Sequence, residues 1–302
     1  MESVVKQPGV IGRYLSLIKF SHTIFALPFA CIGFTIGVMD LHASGVQSPF
    51  SWGLLLKMLL CMVFARSAAM AFNRYLDRRF DALNPRTARR EVPAGIISPT
   101  GALTFTIINS LLFVITTWFI NIACFSLSFV ALFVVLFYSY TKRFTALCHL
   151  VLGVGLSLAP IGAYLTVTGA FAIFPLLFSF AVLTWVAGFD IIYALQDEEF
   201  DRGHKLHSIP AALGVVNALK VSSLLHIISA ALIITAGIQG HLHLLYWGGA
   251  AFYVLLLIYQ HRLVKPDDLS KVGIAFANTN GVASVVFAIF TIADLLRYGL
   301  NS

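Results

Sequence analysis

The chain has 302 residues, 59% of them hydrophobic and only 11% charged, with a net charge of +7. An ordinary soluble domain carries about 25% charged residues, so this composition excludes one and points to a protein embedded in lipid. The positive balance resides in short loops between apolar runs, and nothing in it calls for a nucleic-acid partner.

In lipid each backbone polar group must be satisfied within its own segment, which favours helices, and a spanning helix needs about 20 apolar residues. Nine such segments are predicted in chain order: 20–40, 52–72, 101–120, 122–140, 148–168, 172–195, 213–237, 242–261 and 275–296. The expected fold class is therefore all-α, a polytopic bundle of nine transmembrane helices forming a single domain over residues 1–302. The first run, beginning near Phe20, is too long for the apolar core of a cleavable signal peptide. Residues 9–19 are expected to form a short helix on the anionic inner membrane surface.

The links alternate in character. Residues 73–99 hold Arg74, Arg78, Arg79, Arg86, Arg89 and Arg90; 141–147 hold Lys142 and Arg143. Residues 196–212 hold Arg202 and Lys205, 262–274 hold Arg262, Lys265 and Lys271, and the N-terminus adds Lys6 and Arg13. The links near 41–51, 121, 169–171 and 238–241 contain no Lys or Arg. Basic loops stay on the cytoplasmic side. The N-terminus is thus expected in the cytoplasm and the C-terminus outside, in a multi-pass protein of the inner membrane.

Behind the second segment stand Asn73, Asp77 and Asp81, four residues apart, which places them on one helical stripe. Arg66 falls on the same stripe, deeper in the membrane. The helix is expected to end near Asn84, because Pro85 restricts the residue before it. Arg74, Arg78 and Arg79 suit the positive-inside pattern as solvated charges. The acids do not, since carboxylates gain nothing from anionic lipid. As hard oxygen donors beside a membrane they fit Mg²⁺, which takes one or two carboxylates and completes its shell with water and substrate phosphate.

A second acidic stretch, "DIIYALQDEEFD", runs from Asp190 to Asp201. Asp190, Asp197 and Asp201 share one face if the stretch is helical, while Glu198 and Glu199 point aside as solvated charges. Asp197 and Asp201 repeat Asp77 and Asp81 at an offset of 120 residues, a weak internal repeat. Two such faces on one side of the membrane can hold two metal ions around one diphosphate. Lys142 and Arg143 lie between them in sequence and would complement the same anion. Asp190, about 10 Å deeper than Asp197 by helix rise, is a further candidate, with a buried ion pair as the plainer reading.

Elsewhere the plain readings hold. The four cysteines, Cys31, Cys61, Cys124 and Cys148, sit in apolar surroundings without a CxxC spacing and imply no disulfide framework or zinc site. Gly153, Gly155, Pro160 and Gly162 read as packing and kink positions, and Asn278 and Asn280 as glue between helices. His22 and His226 are lone residues without metal-like spacing.

The segments "NRYLDRRFD", "RTARREVPAG", "YSYTKR" and "DIIYALQDEEFD", in this order across nine helices, resemble the UbiA superfamily of intramembrane prenyltransferases. The wording of "IKFSHTIFALPFA" and of the region around Asn73 is most similar to its 4-hydroxybenzoate polyprenyltransferase-like branch. The resemblance covers nearly the whole chain. It implies Mg²⁺-dependent transfer of a prenyl chain from polyprenyl diphosphate to an aromatic acid in quinone biosynthesis. By position it assigns Asn73, Asp77 and Asp81 to the first metal motif, Asp197 and Asp201 to the second, and Tyr138 with Lys142 to a third element. Many members carry an acid directly after the Asn; this chain has Arg74 there, which leaves the work to Asn73, Asp77 and Asp81.

The resemblance also implies an apolar groove, open to lipid, for the polyprenyl tail. Arg66 or Lys142 is the candidate holder of the acceptor carboxylate. Asp190, Lys142 and Arg66 are the candidate catalytic groups, with Tyr138 and Arg143 beside them in substrate binding. The acceptor stays open between 4-hydroxybenzoate and a dihydroxynaphthoate of the futalosine menaquinone route. Haem or chlorophyll prenylation fits the motif wording less well. A secondary transporter is the alternative of another class, but transporters place their sites near the membrane midplane, whereas these acids stand at the mouth.

Overall fold

A computed structural model of the protein describes residues 9–17 and 25–300. Lys6, Phe20 and His22 lie outside the described residues, as does the beginning of the first predicted span. The helices are α1 (Val10–Leu17), α2 (Leu27–Ala43), α3 (Trp52–Leu83), α4 (Pro99–Trp118), α5 (Ile122–Thr141) and α6 (Cys148–Thr168). They continue as α7 (Ile173–Ala194), α8 (Glu198–Gly203), α9 (Ile209–Gln239), α10 (Leu244–Leu263), α11 (Val272–Ile274) and α12 (Asn280–Tyr298). Among the described residues eight helices are long and apolar enough to cross a membrane, and α2, with 17 described residues, matches the first of the nine predicted segments.

Length alone places the first acidic stripe. α3 has 32 residues, which at 1.5 Å per residue gives about 48 Å against a hydrocarbon core of about 30 Å. Its last turns, carrying Asn73 to Asp81, must therefore project past the lipid tails. Ser51 caps its start by accepting from the Leu54 N–H, and Asn84 ends it in extended conformation, as Pro85 requires. Ser98 and Ser208 cap α4 and α9 in the same way, each followed by a Pro in the first turn.

α7 is the most enclosed span. Phe178, Trp185, Phe189 and Ile191 on it are buried against α2, α9 and α12. Trp185 donates its indole N–H to Asn280 Oδ1 at 3.0 Å, so Asn280 joins two helices as predicted. Asn278 is exposed and does not. His226 is not alone: its Nδ1 lies 2.8 Å from His261 Nε2, a pair that joins α9 to α10.

Three segment readings are corrected. The stretch from Asp190 to Asp201 is not one helix, because α7 tightens into a 3₁₀ turn at Leu195–Asp197 before α8. A 3₁₀ turn carries three residues, so the facing of everything after it rotates. α9 starts at Ile209, ahead of the predicted 213, and bends at Gly214, whose φ of 73° suits glycine. α12 starts at Asn280, later than the predicted 275, because Ala275–Thr279 form a π-turn.

α2 and α6 pass at backbone contact. A Cβ on Gly33 would stand 2.0 Å from the Pro160 carbonyl oxygen, whereas one on Gly162 would meet nothing within 4 Å. Overpacking of this kind costs about 1–3 kcal/mol or more. Gly33→Ala should therefore lower the melting temperature in detergent or abolish folding, with Gly162→Ala unchanged; equal melting temperatures would refute the close packing.

Candidate active site

The mouth-side ends of α3, α5, α6 and α7 surround a cavity of about 310 Å³. Six basic side chains line it (Arg66, Arg74, Arg86, Arg90, Lys142 and Arg143), together with four carboxylates (Asp77, Asp81, Asp190 and Asp197). The excess of positive charge suits an anionic guest. A second cavity of about 310 Å³, almost wholly apolar, runs between α3, α4, α5 and α6. Arg66, Met70, Tyr138, Leu152 and Leu156 line both. Arg66 and Tyr138 thus stand where the polar space meets the apolar one.

The first acidic stripe is arranged as its spacing predicts. Asn73 Nδ2 donates to Asp77 Oδ2 at 2.9 Å, and Asp77 Oδ1 accepts from Arg143 at 2.8 Å. Asp81 Oδ1 accepts from Arg90 at 2.8 Å, while its buried Oδ2 has no hydrogen-bond partner. Arg74 corrects the solvated reading. It is buried in the cavity wall and donates to Asn73 Oδ1 at 3.1 Å.

The second acidic face divides at the 3₁₀ turn. Asp197 stays in the cavity, where Arg86 holds it through a two-point contact and Asn84 Nδ2 donates to it at 2.9 Å. Asp201 is fully buried behind the wall, 2.7 Å from Lys142 Nζ and accepting from Ser208 Oγ at 2.9 Å. Glu198 is not a solvated charge, being largely covered and paired with Arg202, whereas Glu199 is exposed. Burial works against the Lys142 ammonium, but the Asp201 carboxylate outweighs it and holds the pKa above its ordinary value. Arg86 behaves likewise, with its burial outweighed by Asp197.

Sequence reasoning assigned no site role to Asn84, Arg86, Arg90, Tyr193 or His149. Arg86 and Arg90 lie in the loop after α3, which folds back over the cavity. α1 packs beside that loop: Leu17 joins Val92 and Ile97, Tyr14 stacks on Phe105 at 4.7 Å, and Ser16 bonds Glu91. His149 Nδ1 lies 2.7 Å from Asp190 Oδ2, so the deep acid is paired to a histidine and not to Arg66. Among the described residues Arg66 makes no ion pair, and its buried Nε has no hydrogen-bond partner. A guanidinium held at membrane depth without an anion is costly, and this one faces an open cavity.

Asp77, Asp81 and Asp197 line one cavity, and their carboxylates are hard oxygen donors of the kind Mg²⁺ takes one or two at a time. Among the described residues no three His, Cys, Asp or Glu side chains stand close enough together to form a metal cluster by themselves. Asp77, Asp81, Asp197 and Asp201 each meet a Lys or Arg.

The model of the UbiA prenyltransferase family matches residues 26–287. The 4-hydroxybenzoate octaprenyltransferase of Nitrosospira multiformis is 32% identical over 262 residues, covering 82% of this chain and 90% of that protein. The 4-hydroxybenzoate octaprenyltransferase of Tolumonas auensis is 30% identical over 254 residues, covering 84% and 87%. Among solved structures, the apo UbiA homolog of Aeropyrum pernix K1 superposes with a TM-score of 0.76 at 29% identity, covering 91% of this chain and 97% of that one. An Archaeoglobus fulgidus UbiA homolog bound to DMAPP and Mg²⁺ has the same fold, with a TM-score of 0.75 at 20% identity, covering 94% and 99%.

Proposed function

This chain belongs to the UbiA prenyltransferase family, and on that premise we propose that it transfers a polyprenyl group from polyprenyl diphosphate to 4-hydroxybenzoate in quinone biosynthesis. The observation that carries this reading is the junction at Arg66 and Tyr138. There a cationic, carboxylate-lined space opens onto an apolar one between membrane helices. A prenyl diphosphate has that same division into anionic head and apolar tail.

Asn73, Asp77, Asp81 and Asp197 would hold magnesium in the polar cavity, with Asp201 supporting from behind through Lys142. When bound, two such ions would neutralise the diphosphate and stabilise the charge it gains on leaving. Arg86, Arg90 and Arg143, released from their carboxylates, would hold the diphosphate oxygens together with Lys142, which Asp201 keeps in place. The apolar cavity takes the first units of the tail and keeps water from the allylic carbon. Arg66 holds the acceptor carboxylate and so presents the ring, ortho to its hydroxyl, to that carbon.

The names of the relatives support 4-hydroxybenzoate over a dihydroxynaphthoate as acceptor. Membranes carrying the protein, given Mg²⁺, a polyprenyl diphosphate and either acid, should yield prenylated 4-hydroxybenzoate by mass, and none after chelation with EDTA. A prenylated dihydroxynaphthoate alone would reassign the acceptor, and no product with either would reject the function.

The mouth of the cavity faces the cytoplasm in this reading. Reporter fusions after residues 90 and 203 should both read cytoplasmic, and one after residue 240 external. Opposite readings for 90 and 203 would contradict a shared site.

A further inference from the structure

Asp190 differs from the other cavity acids. Asp77, Asp81 and Asp197 each meet an arginine. Asp190 meets His149 instead. Its Oδ2 is engaged at 2.7 Å, and its Oδ1 has no hydrogen bond among the described residues. The side chain is 23% exposed, to the same cavity that Arg66 lines.

The histidine's proton is fixed by its other neighbour. His149 Nε2 receives the backbone N–H of Ile209 at 3.3 Å. Ile209 is the first residue of α9, whose leading N–H groups have no partner within their own helix. A backbone N–H can only donate, so Nε2 is the acceptor and the ring proton sits on Nδ1, pointing at Asp190. The imidazole is 3% exposed at the start of α6 and is clamped between α7 and α9. The arrangement holds one carboxylate oxygen still and leaves the other facing the cavity.

We propose that His149 is a positioning residue that holds Asp190 as the acceptor of the ring proton released when the prenyl group joins the aromatic acid. This rests on the aromatic transfer proposed above. The ring carbon ortho to the hydroxyl forms its bond to the allylic carbon, whose bond to the diphosphate oxygen breaks with its electron pair. The proton on that ring carbon passes to Asp190 Oδ1, and the ring regains its aromaticity. Asp77, Asp81 and Asp197 are the acids that would hold magnesium, so Asp190 is the cavity carboxylate left for the step. Proton transfer to a placed group contributes about 10²–10⁴-fold, so a misplaced Asp190 shows chiefly in the rate.

The test uses two variants of the full-length protein in membranes and an aromatic acid deuterated at the reacting ring carbon. Gln can donate from its amide nitrogen to Asp190 and accept from Ile209 with its oxygen; Leu can do neither. His149→Leu should lower kcat by about a hundredfold with little change in the KM for the diphosphate. Its rate should also become sensitive to ring deuteration, because proton loss is now slow. His149→Gln should recover most of the rate and lose that sensitivity. A His149→Leu enzyme without the isotope effect, or a folded His149→Gln enzyme as slow as His149→Leu, would overturn the proposal. Should His149→Leu not fold, Asp190→Asn must show the isotope effect in its place, and its absence there would overturn the proposal equally. Wild-type transfer serves as control: failure there rejects the aromatic function itself, whereas normal transfer with deuterium-insensitive variants rejects only the role of His149.

Discussion

Asp77→Asn and Asp197→Asn should each lower turnover at least about a hundredfold, the loss expected when a group that stabilises transition-state charge is removed. Each exchange keeps the shape of the side chain and deletes one charged oxygen from the polar cavity. The freed partner, Arg143 or Arg86, has side-chain exposure of 26% or 28% and can reach water, so insertion and folding should survive. Glu199→Gln removes an acid of the same stretch that is exposed and outside the cavity lining. It should leave turnover within about twofold, as surface changes usually do. Near-normal turnover of both Asp variants in the presence of Mg²⁺ would end the two-face reading of the site.

Arg66→Met should raise the KM for the aromatic acid by at least about tenfold, since a desolvated charge contact contributes about 2 kcal/mol or more. The KM for the prenyl diphosphate should change little. The reason is the isolation of Arg66: Asp190 turns to His149, so no acid in the wall claims this guanidinium. Arg66→Lys should recover only part of the affinity, because Lys lacks the planar fork that grips both carboxylate oxygens. If the diphosphate KM rises instead, Arg66 belongs to the head group, and Lys142 and Arg143 become the candidates for the acceptor.

Runs of apolar residues made the spans legible, and the four-residue spacing of Asn73, Asp77 and Asp81 was enough because α3 runs unbroken through it. The same spacing misled at Asp201. Nothing in "ALQD", with neither Gly nor Pro, signals the 3₁₀ turn that moves Asp201 behind the wall. Arg74, Arg86 and Arg90 matched the positive-inside pattern as well as they matched a site. Only the path of the loop after α3 brings the last two onto Asp81 and Asp197. His149 meets Asp190 across 41 residues, a contact set by the packing of α6 on α7 and not by any local period. Arg66 was found from its place on the stripe, but its freedom from any acid depended on where Asp190 turned.

The most direct measurement is an experimental structure with Mn²⁺ and an unreactive prenyl diphosphate analogue, read by the anomalous scattering of the metal. The expected result is metal signal beside both Asp77 or Asp81 and Asp197, with one diphosphate between them and its tail past Tyr138 in the apolar cavity. Metal at one acidic face alone, or a diphosphate bound outside the polar cavity, would contradict it.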